Sequence, residues 1–285
     1  MTAVSLAAAS AAVGEVSQEY IELGPGQLAL AAAVLLVCGA ISVWLRLGLE
    51  GRLAVAAVRT VLQLLLIGLV LDWIFAADRW HLVLGLMAAM TLIAGVAAVR
   101  RTERRYGGVW LDAIVSMWAS SWLIGAVAIF AILQVEPWYR PQYVVPFLGM
   151  ILGNTLNGIS LGLDRLGEEL SAKRDQVETL LALGATRWEA ARLPVQAAVR
   201  TGMIPIINSM MVVGLVSLPG MMTGQLLSGV RPMQAVAYQI VIMFLIAAGT
   251  SLGTFAIVLL GYRRLFSSDH QFLALHLRRH GGKAG

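Results

Sequence analysis

The stretch Arg174–Pro194, RDQVETLLALGATRWEAARLP, decides how the rest of the chain is interpreted. It lies between two long apolar segments, and its charged residues make it too polar to cross a membrane. Val177 and the three leucines that follow it form an apolar side at helical spacing, which predicts a first short helix with Ser171 as its N-cap. Gly184 then predicts a left-handed residue at the end of this helix.

A second helix is predicted immediately after this glycine. Thr186 and Glu189 have the spacing of a capping box, which marks the start of a helix, and Pro194 is expected to end it. Three arginines accompany the two helices. A helix–glycine–helix element of this kind, placed between membrane spans, predicts a surface that another protein contacts.

Composition places the whole chain among polytopic membrane proteins of the all-α class. Hydrophobic residues make up 59% of the sequence and charged residues only 13%, more apolar surface than a soluble domain can cover. The single cysteine, Cys38, excludes an intrachain disulfide. The net charge of +5 does not indicate a nucleic-acid partner, because the basic residues cluster in particular loops.

Seven membrane-spanning helices are predicted, each near the roughly 20 residues that a bilayer requires. The helix–glycine–helix element falls between the fifth and the sixth. The predicted spans are about 27–45, 53–76, 81–99, 111–134, 143–166, 195–219 and 236–261.

The distribution of arginine and lysine predicts the orientation of these spans. Sixteen of the 21 basic residues follow spans 1, 3, 5 and 7, and three lie in the alternate loops. Because basic loops stay in the cytoplasm, we expect the N-terminus outside and the C-terminus inside. This gives an extracytoplasmic segment at 1–26, a membrane domain at 27–263 with its polar segment at 171–194, and a cytoplasmic tail at 264–285.

Several polar or sulfur-containing side chains in or between the spans are candidates for lining a transport pathway. Each has a structural alternative: an arginine near a span end reaches the interface, amides and serines join helices, and methionines fill gaps. The asparagines, Ser160, Gln225 and the two methionines form a neutral lining, which suits a weakly held or chelated metal, or a polar organic molecule, better than a bare hard cation. The candidates are Arg59, Gln63, Asn154, Asn157, Ser160, Asn208, Met221, Met222 and Gln225.

At three places the sequence resembles a known family. Glu178 and Gly184, with Ala185 and Thr186 after them, resemble the coupling motif of ABC-transporter permeases. Together with the runs GNTLNGISLGLDRL and SLPGMMTGQLLSG, at 153–166 and 217–229, they resemble the FetB (YbbM-like) iron-export permease family. The resemblance extends over roughly residues 49–272.

The resemblance implies a permease homodimer in the inner membrane that exports iron or a related metal. ATP and Mg²⁺ are then expected on two separate FetA-like ATPase subunits, and this chain is expected to be a transport subunit that binds no cofactor and is not an enzyme. Consistently, the sequence has no G-x-x-x-x-G-K-[ST] phosphate-binding loop. The resemblance assigns contact with the ATPase to Glu178, Leu181, Gly184, Ala185, Thr186 and Arg187.

Other classes remain open from the residues alone. An ABC permease for a polar organic substrate, such as a nucleotide sugar, fits the same neutral lining. A secondary transporter driven by an ion gradient normally needs broken helices in corresponding halves and a carboxylate within the membrane, and neither is evident. A non-transporting scaffold would leave the polar element at 171–194 without a purpose. Histidines in the tail favour a solvated segment over a metal site.

Overall fold

The computed structural model describes residues 24–77 and 79–279 and is almost entirely helical. The N-terminal segment up to residue 23, predicted to be extracytoplasmic, and the end of the tail from His280 lie outside the described residues. The helices are α1 (Pro25–Trp44), α2 (Glu50–Ala77), α3 (Trp80–Arg100), α4 (Val109–Ala126, continued by a π-helical turn at Val127–Ile132), α5 (Pro141–Ala172), α6 (Arg174–Ala182), α7 (Arg187–Val212), α8 (Gly220–Leu227) and α9 (Pro232–Leu265). Two short strands, β1 (Arg104–Arg105) and β2 (Arg278–Arg279), pair antiparallel.

Six of the described helices, α1 to α5 and α9, are long and apolar enough to cross a membrane. They coincide with six of the seven predicted spans. The predicted span at 195–219 corresponds to the later part of α7, which ends at Val212 and does not reach the same apolarity. Its lower apolarity follows from Gln196, Arg200, Pro205 and Asn208, four residues that disfavour a lipid-facing helix.

The described residues divide into two compact units, the first comprising residues 24–77 and 220–235. In it, α1 and α2 pack together through a tight turn in which Arg46 and Gly48 have positive φ angles. The Ser42 hydroxyl donates to Glu50 Oε2 over 3.0 Å and accepts the backbone N–H of Leu49 over 3.1 Å. These bonds fix the turn between the two helices.

The second unit comprises residues 79–219 and 236–279 of the described chain and contains the larger core. Here α5 packs against α3, α4 and α7. Glycines set how closely these helices approach: a Cβ added at Gly202 would lie 2.7 Å from the carbonyl oxygen of Gly158 and 2.6 Å from Thr254 Cγ2. Small residues at helix interfaces permit this close packing. At these positions the size of a residue therefore matters more for helix packing than its hydrophobicity.

Two predictions about the polar segment are wrong. Ser171 is not a cap, because α5 continues to Ala172 and Lys173 alone separates it from α6. Pro194 does not end a short helix, since α7 continues through it and through Pro205 to Val212. The second helix of the polar segment and the predicted sixth span are therefore one helix of 26 residues, about 39 Å long.

Candidate functional site

The turn between α6 and α7 has the geometry predicted for Gly184. This residue has a φ angle of +90°, and its backbone N–H donates to the Leu181 carbonyl over 3.0 Å. The N–H of Ala185 donates to the Leu180 carbonyl, also over 3.0 Å. This pair of bonds is the Schellman motif, which satisfies the last carbonyls of a helix and requires a left-handed residue at the position of Gly184.

The predicted capping box at the start of α7 is confirmed. The Glu189 N–H donates to the Thr186 hydroxyl over 3.3 Å, and the Thr186 N–H donates to Glu189 Oε2 over 2.8 Å. The backbone N–H of Thr186, and secondly its hydroxyl, lower the pKa of the Glu189 carboxyl. The backbone N–H groups of Gly184, Ala185 and Thr186 therefore all have hydrogen-bond acceptors within this turn and its capping box.

Contacts with the segment after α9 hold the first turn of α7. The backbone N–H of Arg187 donates to His270 Nδ1 over 2.9 Å, and its guanidinium donates to the Ser267 carbonyl over 3.2 Å. The Trp188 ring meets Tyr262 edge-on with centroids 5.5 Å apart. The described part of the tail therefore contacts the start of α7. It also agrees with the prediction of a solvated segment, because residues 268 to 271 are exposed.

The α6 side of the element presents an open surface. Val177 is buried, but Leu183, at the tip of the turn, is 80% exposed, so the predicted apolar side is only partly covered. Glu178 forms an ion pair with Arg174 over 2.7 Å and is exposed, as are Gly184 and Thr186, while Leu181, Ala185 and Arg187 are half-buried. The tip of the turn therefore presents one exposed leucine next to the glycine.

The loop between α3 and α4 lies at the same end of the second unit. Its strand β1 pairs with β2 of the tail, and the Arg104 guanidinium donates to the Gly167 carbonyl of α5 over 3.2 Å. The Glu103 N–H donates to Asp164 Oδ1 over 3.1 Å. The basic loops after α3, α5 and α9 therefore meet at one end, as the charge distribution predicts for spans 3, 5 and 7.

An ion pair between a buried carboxylate and a half-exposed arginine at this end was not predicted. Asp112 of α4 has a side chain only 5% exposed and pairs with Arg264 of α9 over 3.2 Å. The neighbouring Tyr106 has a pKa raised well above its ordinary value, first by burial and then by the charge of Asp112. The two partners are 152 residues apart in the chain, so no local pattern connects them.

Four candidate pathway residues lie in the second unit and differ in environment. On α5, Asn157 is exposed and accepts a hydrogen bond from the Arg101 guanidinium over 2.8 Å, while the Asn154 amide donates to the Met150 carbonyl of its own helix over 2.9 Å. Ser160, one turn further, is buried. Asn208 is exposed on α7. Along the predicted polar stripe of α5, Asn154 is half-buried, Asn157 is exposed and bonded to an arginine, and Ser160 is buried.

The other five candidates lie in the first unit. Arg59 and Gln63 are exposed, one turn apart on α2. Met221, Met222 and Gln225 are half-buried on the short helix α8, and within the described residues no hydrogen-bond partner faces Gln225 Oε1. Across residues 24–77 and 79–279, no group of three His, Cys, Asp or Glu side chains is placed to hold a metal ion.

Comparison with known proteins agrees with this architecture. The chain is 43% identical over 234 residues to the UPF0014 membrane protein slr1647 of Synechocystis sp., covering 81% of this chain and 89% of the relative. It is 31% identical over 252 residues to the "Probable iron export permease protein FetB" of Escherichia coli (88% and 96%) and 33% identical over 241 residues to the UPF0014 membrane protein STAR2 of Oryza sativa subsp. japonica (85% and 83%). No solved structure matches the chain.

The predicted resemblance to FetB is therefore confirmed, and long apolar helices together with such relatives make this a multi-pass membrane protein. A family model described as "Uncharacterised protein family (UPF0014)" matches residues 25–266, which include the whole of helices α1 to α9. The chain belongs to the UPF0014 family of membrane proteins.

Proposed function

We propose that this chain is the permease subunit of an ABC transporter and that residues 171–194 dock onto a separate, FetA-like ATPase. The observation that carries the proposal is the exposed Schellman turn at Gly184, which is fused without interruption to the 26-residue helix α7. A force applied at this turn would act directly on a helix that packs along α5. The likeness to FetB, whose printed name describes an export permease, supports the same function.

The mechanism is a rigid-body transmission of movement from the ATPase to the helices. ATP, with Mg²⁺, is bound and hydrolysed on the partner subunit, and closure of two ATPases displaces the α6–α7 elements of a permease homodimer. The contacts of Arg187 with Ser267 and His270 make the segment after α9 move together with α7. Docking is tested by co-purification with the ATPase and by its stimulated ATP hydrolysis in liposomes; a permease that neither binds nor stimulates it would refute the proposal.

We place the protein in the inner membrane with seven spans, α7 providing the sixth. The meeting of the basic loops at one end supports a cytoplasmic location for that end, with the N-terminus outside and the tail inside. Labelling of single cysteines on a Cys38-free background tests this orientation. We expect Arg140→Cys to react from outside and Arg104→Cys to be protected; the reverse pattern would refute the assignment.

We propose iron or a related metal as the exported substrate, on the strength of the likeness to FetB. A strain lacking the gene should accumulate iron and become more sensitive to peroxide under iron excess. Complementation with Asn154→Ala, Asn157→Ala and Met222→Ala variants tests whether the neutral side chains line the pathway. Unchanged iron content in the deletion strain would refute iron as the substrate. This result would not bear on the proposed docking onto the ATPase.

A further inference from the structure

A groove between α7 and α9 contains two arginines, Arg200 and Arg263, that have no role in the function proposed above. It contains a cavity of about 510 Å³ lined mainly by apolar side chains of both helices, with Gln196 and Arg200 as its polar members. A second cavity of about 460 Å³ adjoins it, shares Trp188 and Leu259, and includes Arg263. These volumes, and an apolar lining with a few polar groups, are typical of small-molecule sites.

Both arginines of the groove lack a counter-charge. Arg200 and Arg263 are exposed, and within residues 24–77 and 79–279 neither forms an ion pair with an acidic side chain. No aspartate or glutamate lines either cavity. A guanidinium presents planar, paired donors that match the oxygens of a carboxylate or phosphate, so the charge and geometry of the groove select an anion.

Arg200 lies inside the predicted sixth span. The span is predicted to begin at residue 195, and Arg200 follows five residues later, about 8 Å along the axis of α7. A charged side chain at membrane depth normally faces a partner or a substrate path.

Two polar residues share this face of α7. Gln196 and Arg200 are four residues apart, so they lie on one side of the helix, and both are exposed. Opposite them, Phe255 and Leu259 of α9 supply an apolar wall. The groove therefore combines one charged end with a flat apolar surface.

We propose that this groove binds an organic anion, with a carboxylate or phosphate group at Arg200 and an apolar body against Trp188, Phe255 and Leu259. The proposal rests on α7 crossing the membrane as proposed above. It also narrows the substrate class: a metal that passes this groove travels as an anionic complex with an organic chelator. The same chemistry would hold an anionic lipid headgroup, so the experiment must separate the two sources.

The test measures binding to the purified full-length chain in nanodiscs of phosphatidylcholine alone. The probe is 2,3-dihydroxybenzoate, an aromatic carboxylate that chelates iron, and catechol is its matched control without the carboxylate. We expect the carboxylate probe to bind at least about tenfold more tightly than catechol, and Arg200→Gln to remove that difference, a change of ~1.4 kcal/mol. Arg192→Gln, an exposed arginine of α7 that lines neither cavity, should bind as the unmodified chain does.

A second arm uses nanodiscs that also contain phosphatidylglycerol. In this arm we measure whether the chain retains phosphatidylglycerol through Arg200 and whether this lipid displaces the carboxylate probe. Both results together would support an oxyanion site and would identify a lipid headgroup as its ligand. If Arg200→Gln fails to fold, Arg200→Lys keeps the charge and should retain partial binding. Binding of neither anion, or binding that Arg200 does not affect, would overturn the proposal. Stimulation of the ATPase in the same nanodiscs reports separately on the permease function.

Discussion

Replacing Gly184 tests whether the backbone conformation of the α6–α7 turn determines docking. The residue has a φ angle of +90°, and an added Cβ would meet no atom within 4 Å. Within the permease itself, an added Cβ therefore strains the backbone without clashing with a neighbouring atom. Valine at such an angle is strained by roughly 1–2 kcal/mol, while asparagine tolerates the left-handed region.

The strain energy of valine at position 184 predicts how far the affinity of the permease for the ATPase falls. A penalty of about 1–2 kcal/mol reduces the population of the native turn about 5- to 30-fold relative to its alternatives. If only the native turn docks, the apparent dissociation constant of the ATPase rises by up to the same factor. We therefore expect Gly184→Val to need more ATPase for half-maximal stimulation, by a factor of up to about 30, and Gly184→Asn to stay within about twofold of the unmodified chain.

The assay is a titration of purified ATPase against permease in nanodiscs, with ATP hydrolysis as the readout. Thermal unfolding of each variant controls for folding, since the turn is exposed and outside the packed core. Equal impairment by valine and asparagine would indicate that an added side chain, rather than the φ angle, disturbs docking. Normal stimulation by Gly184→Val would refute the role of the turn.

Two further predictions concern stability. Gly202→Ala should lower the free energy of unfolding by about 1–3 kcal/mol through overpacking, whereas Gly153→Ala, with open space at its Cβ, should leave the thermal midpoint unchanged or raised. Arg264→Gln should destabilise the protein more than Asp112→Asn, because it leaves a buried carboxylate unpaired, while Asp112→Asn leaves an arginine that is 49% exposed and can be hydrated. Adding Asp112→Asn to Arg264→Gln should restore part of the thermal midpoint; no restoration would contradict this explanation.

Features with local causes could be predicted from the sequence. Six spans follow from the length and apolarity of their segments, and the turn follows from a glycine before a capping box. Both signals lie within about 20 consecutive residues, where helix length and capping chemistry decide the outcome. The resemblance to a permease family depended on such short runs as well.

Features that depend on packing could not be predicted in this way. Pro194 normally favours the end of a helix, but it is buried among Ala190, Ala191 and Val195, and the packing of α7 outweighs the hydrogen bond that a proline cannot donate. The contact between Arg187 and His270 joins residues 83 positions apart. A single sequence contains no periodic signal for such a pair, so the involvement of the tail could only be read from the structure.

The most direct test of the proposed docking is a cross-link from the tip of the turn to the ATPase. Leu183 is 80% exposed just before α7, and Leu215 is 87% exposed just after it, so the two form a matched pair beyond opposite ends of one helix. With a photo-reactive amino acid at one position or the other, we predict a cross-link to the ATPase from position 183 and none from 215. A cross-link from 215 alone, or from neither position in a complex that hydrolyses ATP, would contradict docking through residues 171–194.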